Sequence, residues 1–294
     1  MPKTKKKSRP LIKLYHMKKT LYTLTAIMLI ASMTYFAGCS KDDSSPDQVL
    51  VLVKRSNGKL FSVNKSTGAL TEIGLLTYEG DSLSGLRGLI YDPATGKAYA
   101  GATNDGGGYF YSIDLKSGVA TLLNDNAESN WDGIASTLVC GDSIITNMYS
   151  RIVSGSALTR FSKTSGNFGI HRLLNDGNGG EIWSPGGMCY GSNSSQLVIG
   201  GDNEIYLSNL TGVVSDTIPL VKTTNIDDTD VYVMTIAKES STYYAIIFEY
   251  NQGNQYLVKI NTATGVITEM GLLVNGSNSN FYHCLALVPA DKLP

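Results

Sequence analysis

Residues 60–68 read Leu-Phe-Ser-Val-Asn-Lys-Ser-Thr-Gly, and similar segments occur at residues 110–118 and 256–265, with weaker copies that end at Gly166 and Gly212. When the five copies are aligned on the final glycine, an apolar residue stands five positions before it, a small polar residue four positions before it, and serine or threonine immediately before it. A small polar side chain can cap a tight turn, and glycine supplies the positive φ that a hairpin needs. Each copy therefore predicts a strand, a hairpin turn and a second strand.

The spacing of the copies predicts how these hairpins are arranged. The final glycines are 50, 48, 46 and 53 residues apart, about the length of a four-stranded propeller blade. A leading pair of strands precedes the second hairpin at residues 88–99, and counterparts begin near Gly133, Gly187 and Val233. The first hairpin has no such leading strand, but residues 283–290 resemble the one at residues 89–94.

We therefore predict an all-β fold, a β-propeller over residues 49–294 with five four-stranded blades. The C-terminal strand would complete the first blade and leave no exposed edge. Six blades are the alternative, if an irregular blade lies between Asp125 and Arg160. The repeat is similar to the degenerate aromatic-x-Ile-Asp-x-x-Thr-Gly repeats of bacterial quinoprotein-like and NHL-like propellers. This resemblance implies a fold and no catalytic residues.

The N-terminus has the features of an export signal. Lys18 and Lys19 precede an apolar run at residues 21–36 that ends in small residues, as in a secretory signal peptide. A transmembrane anchor is the alternative, but it needs about 20 apolar residues. The segment Ala37-Gly38-Cys39 resembles the bacterial lipoprotein signal, which implies a signal peptide over residues 1–38, with Met17 as an alternative start, and a lipid on Cys39.

The residues after Cys39 suggest where the protein is displayed. Residues 40–45 read Ser-Lys-Asp-Asp-Ser-Ser and resemble the acidic export tag of Bacteroidetes lipoproteins, which implies an outer-membrane protein that faces the cell exterior. A plain flexible tether over residues 39–48 is the alternative. All 25 acidic side chains but only 16 of the 24 basic ones lie after residue 38. This excess of acid argues against nucleic acid as a partner, and contact with the membrane is expected only through the lipid.

Residues just before each innermost strand of a propeller are neighbours at one mouth of the central channel. In blade order the candidate ligand-binding residues are Arg87, Trp131, Asp132, Trp183, Asp230, Tyr282 and His283. Both tryptophans of the chain fall at this repeat position, and aromatic faces beside polar groups suit a sugar. We therefore predict a non-enzymatic protein that binds a glycan or another envelope ligand. The alternative is that both tryptophans fill the channel or brace neighbouring blades.

Other chemistry has weaker support. A polysaccharide hydrolase or lyase needs two facing carboxylates, for which Asp132 and Asp230 are weak candidates and Glu181 a third; a protein-interaction scaffold is a further alternative. No cofactor or metal site is predicted, although calcium is an alternative at the acidic or glycine-rich residues 175–181 and 225–230, which lack the helix-loop-helix pattern. Three further cysteines are expected as buried thiols, with one disulfide as the alternative: Cys140, Cys189 and Cys284.

Overall fold

The computed structural model describes residues 48–104, 107–124, 131–150, 155–178, 180–182, 186–222, 226, 230–276 and 281–294. The predicted signal peptide, the predicted lipidation site Cys39 and the part of the predicted tether before Gln48 lie outside these residues. Within the part of the chain that is described, no helix is both long and apolar enough to cross a membrane.

The described residues form strands joined by short turns. In chain order they are β1 (Gln48–Lys54), β2 (Lys59–Val63), β3 (Leu70–Leu75), β4 (Thr77–Tyr78), β5 (Asp81–Ser82), β6 (Leu86–Asp92), β7 (Lys97–Asn104), β8 (Gly107–Asp114), β9 (Val119–Asn124), β10 (Trp131–Cys140) and β11 (Ser143–Ser150). They continue with β12 (Gly155–Ser162), β13 (Phe168–Leu173), β14 (Met188–Tyr190), β15 (Gln196–Gly200), β16 (Glu204–Asn209), β17 (Val214–Pro219), β18 (Val231–Glu239), β19 (Thr242–Glu249), β20 (Asn254–Ile260), β21 (Ile267–Val274) and β22 (Tyr282–Pro289). A single turn of 3-10 helix follows at Ala290–Lys292.

These strands form five sheets, each built around four antiparallel strands. Blade 1 joins β22, β1, β2 and β3, and the other blades join β6–β9, β10–β13, β14–β17 and β18–β21. The innermost strands β22, β6, β10, β14 and β18 contact one another in a closed ring. The five-bladed propeller and its closure by the C-terminal strand are thus confirmed. The six-blade alternative is wrong, because the region where a sixth blade would lie belongs to the single sheet β10–β13.

The repeated segment forms the predicted hairpin turns. Four of the small polar residues accept a hydrogen bond from the backbone amide two residues later, at 2.8–3.2 Å: Asn64, Asp114, Ser162 and Asn261. In the fourth copy Asn209, not Ser208, accepts this bond, from Thr211 N at 2.9 Å. The reason is a shorter turn, since Gly212 N donates to the carbonyl three residues back, whereas Gly68 N donates four residues back.

The final glycines also allow neighbouring blades to approach closely. All five have φ between +65° and +85°. A Cβ on any of them would lie 3.0 Å or less from the outer edge of the preceding blade. The pairs around the ring are Gly68 with Gly271, Gly118 with Leu75, Gly166 with Leu123, Gly212 with Leu173, and Gly265 with Pro219. Glycine is therefore required both by the turn and by the contact between blades.

Four of the innermost strands contain a one-residue bulge close to their start. The unpaired residues are Gly88 in β6, Ala135 in β10, Met234 in β18 and His283 in β22. Such bulges bend a strand and redirect a side chain. The bulge in β22 is supported by Gln255, which is fully buried: its Oε1 accepts from Tyr282 N at 2.9 Å, and its Nε2 donates to Tyr282 O at 3.3 Å.

The expectation for the cysteines holds at two of the positions. Cys189 in β14 and Cys284 in β22 keep their thiols, and both are buried. Cys140 at the end of β10 is buried as well, but it is disulfide-bonded, so the expectation of a thiol is wrong at this position and the disulfide alternative applies to it.

Candidate functional site

One face of the propeller collects several polar and aromatic side chains. Because adjacent strands within a blade are antiparallel, the starts of the innermost strands lie on the same face as the turns β1–β2, β15–β16 and β19–β20. We call this face the mouth. Its described polar and aromatic residues include Arg55, Arg87, Asp202, Asn203, Asp230, Tyr232, Phe248, Tyr250, Phe281 and His283.

Arg55 is held at the mouth by its own backbone. Its amide donates to the carbonyl oxygen of Phe281 at 3.0 Å, and its carbonyl oxygen accepts from the amide of Gly85 at 2.8 Å. The turn after β1 is therefore tied both to the segment that leads into β22 and to the segment that leads into β6. The second residues of those two strands are His283 and Arg87, so the backbone brings Arg55 close to both.

We refer to Arg55 and Arg87 as the arginine pair. Among the described residues, neither guanidinium forms an ion pair or a side-chain hydrogen bond, and the Nε atom of Arg87 is buried without a partner. Burial, and after it the charge of Arg55, lowers the pKa of Arg87. An arginine nevertheless stays charged in proteins, so the mouth contains two neighbouring positive charges.

His283 lies beside the arginine pair in its neutral form. Burial, followed by the charges of Arg87 and Arg55, lowers its pKa from 6.5 to about 3. The imidazole keeps part of its surface accessible, as expected for a side chain at a channel. At neutral pH it can therefore donate or accept a hydrogen bond but adds no charge.

Aromatic rings form a continuous row next to the histidine. We call Tyr232, Phe248, Tyr250 and Phe281 the aromatic wall. The ring of Phe248 meets Tyr250 edge to face at 5.4 Å and Phe281 at 5.2 Å, and Tyr232 lies 6.5 Å from Tyr250. Phe281 in turn meets the imidazole of His283 at 6.4 Å. Tyr250 is 51% exposed, so one member of the row presents its ring to solvent.

Two carboxylates lie at the far end of the aromatic wall. Asp202 accepts a hydrogen bond from the hydroxyl of Tyr250 at 3.0 Å. Asp230 accepts one from Asn203 Nδ2 at 3.1 Å, while Asn203 Oδ1 accepts from Val231 N at 3.0 Å. Asn203 has φ +59°, a conformation that asparagine tolerates better than most residues. These hydrogen bonds hold the turn β15–β16 against the start of β18.

Tyr232 lies between the charged groups. Burial, followed by the negative charge of Asp202, raises its pKa to about 12, and the positive charge of Arg87 opposes this shift. The pKa of Tyr232 thus responds both to Arg87 of the arginine pair and to Asp202 on the carboxylate side of the mouth. The mouth is consequently divided into a cationic part and an acidic part with aromatic rings between them.

The structure brings together some of the residues predicted from the repeat. Arg87 and His283 are neighbours, and Asp230 lies on the same face. Tyr282 lies elsewhere: it is 8% exposed and packs in the apolar core, where its ring meets Phe61 edge to face at 5.7 Å. The reason is that successive side chains of a strand point to opposite faces, so Tyr282 and His283 cannot both face the mouth.

The remaining candidates are only partly described. Trp183 and the side chains of Trp131 and Asp132 lie outside the described residues, so the separation of the two candidate catalytic carboxylates is not defined. Glu181 is exposed and pairs with Asn175 through an isolated bridge.

Sequence reasoning missed several mouth residues, namely Arg55, Asp202, Asn203, Tyr232, Phe248, Tyr250 and Phe281. Arg55, Asp202, Asn203 and Tyr250 lie in turns that follow the second strand of a blade, where the sequence has no recurring motif. The antiparallel order of strands in each blade could have indicated them, because it places these turns on the same face as the segments that lead into the innermost strands.

The described residues of the segment 175–181, one of the two considered for calcium, show no ligand set. Asp176 Oδ1 accepts hydrogen bonds from the amides of Asn178 and Gly180, both at 2.8 Å, so this carboxylate caps its own turn. Among the described residues, no group of three or more His, Cys, Asp or Glu side chains converges as metal ligands would. Most of residues 225–230 lie outside that part of the chain.

Comparisons with known proteins show low similarity. No protein-family model and no curated protein matches the chain. A chain in the crystal structure of a nidogen/laminin complex is 11% identical, with a TM-score of 0.49, and the match covers 82% of this chain and 98% of that one. The glutaminyl cyclase of Myxococcus xanthus is 12% identical over 78% of each chain, with a TM-score of 0.43. The periplasmic gluconolactonase of Pseudomonas aeruginosa is 9% identical over 76% of this chain and 81% of that one, with a TM-score of 0.42. No residue, ligand or activity is carried over from these proteins.

Proposed function

We propose that this chain is an outer-membrane lipoprotein, displayed on the cell exterior, whose propeller binds a glycan or another envelope ligand at the mouth without converting it. The anchor is proposed from the signal-like N-terminus and Cys39. The binding role is proposed from the residues of the mouth, and it does not depend on the anchor.

The aromatic wall is the observation that carries the binding role. Sugars have apolar C–H faces and hydroxyl rims, so they bind where an aromatic face stands beside hydrogen-bonding groups. Tyr250 offers such a face, half exposed, and the turn that carries Asp202 and Asn203 lies next to it. The packing of Phe248 against Tyr250 holds this ring in place, which reduces the entropy lost on binding.

The hydrogen bonds of the carboxylates favour binding over catalysis. Asp202 and Asp230 each have an oxygen that accepts a hydrogen bond from a neighbouring turn or strand. A glycosidase needs one carboxyl group free to transfer a proton and another placed across the bond. The hydrogen bonds of Asp202 and Asp230 support a role in positioning the turns of the mouth.

The test is binding of the purified chain to a broad glycan panel, with Tyr250→Ala and the control Leu272→Ala measured in parallel. Leu272 is 48% exposed on the outermost strand β21, so its loss removes a similar exposed apolar surface from the outer edge of the blade. We expect Tyr250→Ala to weaken binding by about 1–3 kcal/mol, as truncation of an aromatic contact does, and Leu272→Ala to leave it unchanged.

Two further outcomes of this experiment would contradict the proposal. Release of cleaved sugar in the same wells would assign the chain to the enzymes. No binding to any glycan, together with capture of an envelope protein that tolerates Tyr250→Ala, would favour the scaffold alternative.

The anchor is tested separately. Cys39→Ala should move the chain from the membrane fraction to the soluble fraction of the producing cells, because one lipid-bearing residue provides the attachment. Retention in the membrane fraction would contradict lipidation at Cys39.

A further inference from the structure

We infer that the ligand bound at the mouth carries an anionic group, a carboxylate or a sulfate on a sugar, and that this group lies between Arg55 and Arg87. This inference rests on the proposed function, since it specifies the ligand of the same site. It is carried by the arrangement of the arginine pair.

The first argument is the way the backbone brings the two arginines together. The peptide of Arg55 bonds at 3.0 Å to the segment before β22 and at 2.8 Å to the segment before β6. Arg87 is the second residue of β6, directly before the bulge at Gly88. These main-chain hydrogen bonds bring the backbones of the two arginines together, and the charge of Arg55 is close enough to lower the pKa of Arg87. Two like charges in this arrangement repel each other, and an anion between them would offset the repulsion.

The second argument is that the described residues provide no counter-charge for the pair. Among the described residues no carboxylate lies within ion-pair distance of either guanidinium, although the chain forms such pairs elsewhere, as between Lys163 and Asp92 at 2.6 Å. The Nε–H of Arg87 is buried and donates to nothing. A buried donor without a partner is rare in proteins and unfavourable, so an external acceptor would satisfy it.

The third argument concerns the other charged groups of the mouth. Asp202 and Asp230 are hydrogen-bonded at the far end of the aromatic wall, and their charges act on Tyr232 and Tyr250. They are not among the groups that shift the pKa of Arg87 or His283. Asp202 and Asp230 therefore leave the arginine pair available.

The groups next to the pair suit an acidic sugar. A guanidinium binds the planar carboxylate or the sulfate group through paired hydrogen bonds. His283 is neutral because of its low pKa, so it can bond a hydroxyl beside the anionic group. The ring of Phe281 contacts His283 and continues into the aromatic wall, which offers an apolar surface to the rest of the sugar ring.

The experiment compares polygalacturonate, dextran sulfate and neutral dextran and galactan as ligands for the full chain, alongside the broad panel. The variants are Arg55→Gln, Arg87→Gln and Arg87→Lys. The control is Arg172→Gln, which removes a positive charge from an exposed position on the outermost strand β13. Circular dichroism and the midpoint of urea unfolding show whether each variant is folded.

We expect an acidic ligand to bind, and each glutamine variant to weaken binding about tenfold or more, because hydrogen bonds between charged groups are among the strong ones. Arg87→Lys should retain part of the affinity through its charge, and added salt should weaken binding by the wild type. Arg172→Gln should bind as the wild type does. Preference for polygalacturonate identifies a carboxylate, and preference for dextran sulfate identifies a sulfate.

The failures of the two proposals are distinguishable. Binding of neutral glycans that Tyr250→Ala weakens and the arginine variants leave unchanged would overturn this inference and leave the proposed function standing. Equal losses in Arg172→Gln and Arg87→Gln would also overturn it, since the effect would then reflect overall charge. If the wild type binds no glycan at all, the proposed function fails, and this inference fails with it.

Discussion

Replacing Gly265 with alanine tests whether the repeated glycine holds neighbouring blades together. Gly265 has φ +71°, and a Cβ there would lie 1.9 Å from the carbonyl oxygen of Pro219 in the preceding blade. Gly96 has φ +68°, but a Cβ there would have nothing within 4 Å. The two substitutions therefore impose the same backbone strain, and only one of them interferes with the contact between blades.

The structure sets the expected magnitudes. An L side chain in the left-handed region costs about 1–2 kcal/mol at either position. At Gly265 the new methyl group must also push the edge of blade 4 away, and overpacking of this kind costs about 1–3 kcal/mol. The same displacement strains the hydrogen bond from Val221 N to Gly265 O, which is 2.9 Å long. We expect losses of about 1–2 kcal/mol for Gly96→Ala and about 2–5 kcal/mol for Gly265→Ala.

Equilibrium urea unfolding, followed by circular dichroism, measures both losses. The slope of the unfolding free energy against urea must be the same in all three proteins, since a changed slope would mean a changed denatured state or loss of two-state behaviour. Equal losses in the two variants would refute the reasoning, because they would show that the contact between Gly265 and Pro219 contributes nothing beyond the turn itself.

Three further outcomes are expected from single residues near the mouth. Gln255→Leu leaves the amide and carbonyl of Tyr282 unpaired in the core, which should lower the unfolding free energy by about 2–4 kcal/mol in urea; a loss under about 0.5 kcal/mol would contradict this role. The pKa of His283 is about 3 in the folded chain against an ordinary 6.5, so the unfolded chain takes up a proton there that the folded chain does not. The contribution of neutral His283 to the free energy of unfolding is therefore fully present above about pH 6.5 and is lost as the pH falls toward 3. The difference in unfolding free energy between wild type and His283→Gln should shrink over that range. Parallel pH profiles of the two proteins would contradict this expectation. Cys284 is fully buried, and burial raises its thiol pKa to about 12, so iodoacetamide at pH 8 should modify it only in urea, as mass spectrometry would show; modification of the native chain would contradict this burial.

The fold could be predicted because the physics of the repeated turn is local. The small polar residue, the serine or threonine and the glycine all act within one hairpin, so each copy carries its own signal. Asn64 and Asp114 cap their turns as predicted. The exception at Ser208 arises because the number of residues in that turn differs by one, which a pattern aligned on the glycine does not register.

The mouth could be predicted only in part because its residues come from two kinds of segment. Arg87 and His283 stand at a repeat position, so alignment of the copies finds them. Arg55 and Tyr250 lie in turns without a repeated motif, and only the ring of blades brings them near the others. Tyr282 shows a second difficulty: the repeat position covers two consecutive residues, and because successive side chains of a strand point to opposite faces, only one of the two can face the mouth.

The direction of the first strand has a consequence for how the protein would meet its surroundings. β22 begins at the mouth, and Gln48 at the start of β1 pairs with Pro289 at the other end of β22. Any segment ahead of Gln48 therefore joins the propeller on the side away from the arginine pair. Cys39 precedes Gln48 by nine residues, a stretch that spans at most about 30 Å when extended. A large ligand that approaches the mouth would therefore not meet the chain that enters the propeller at Gln48.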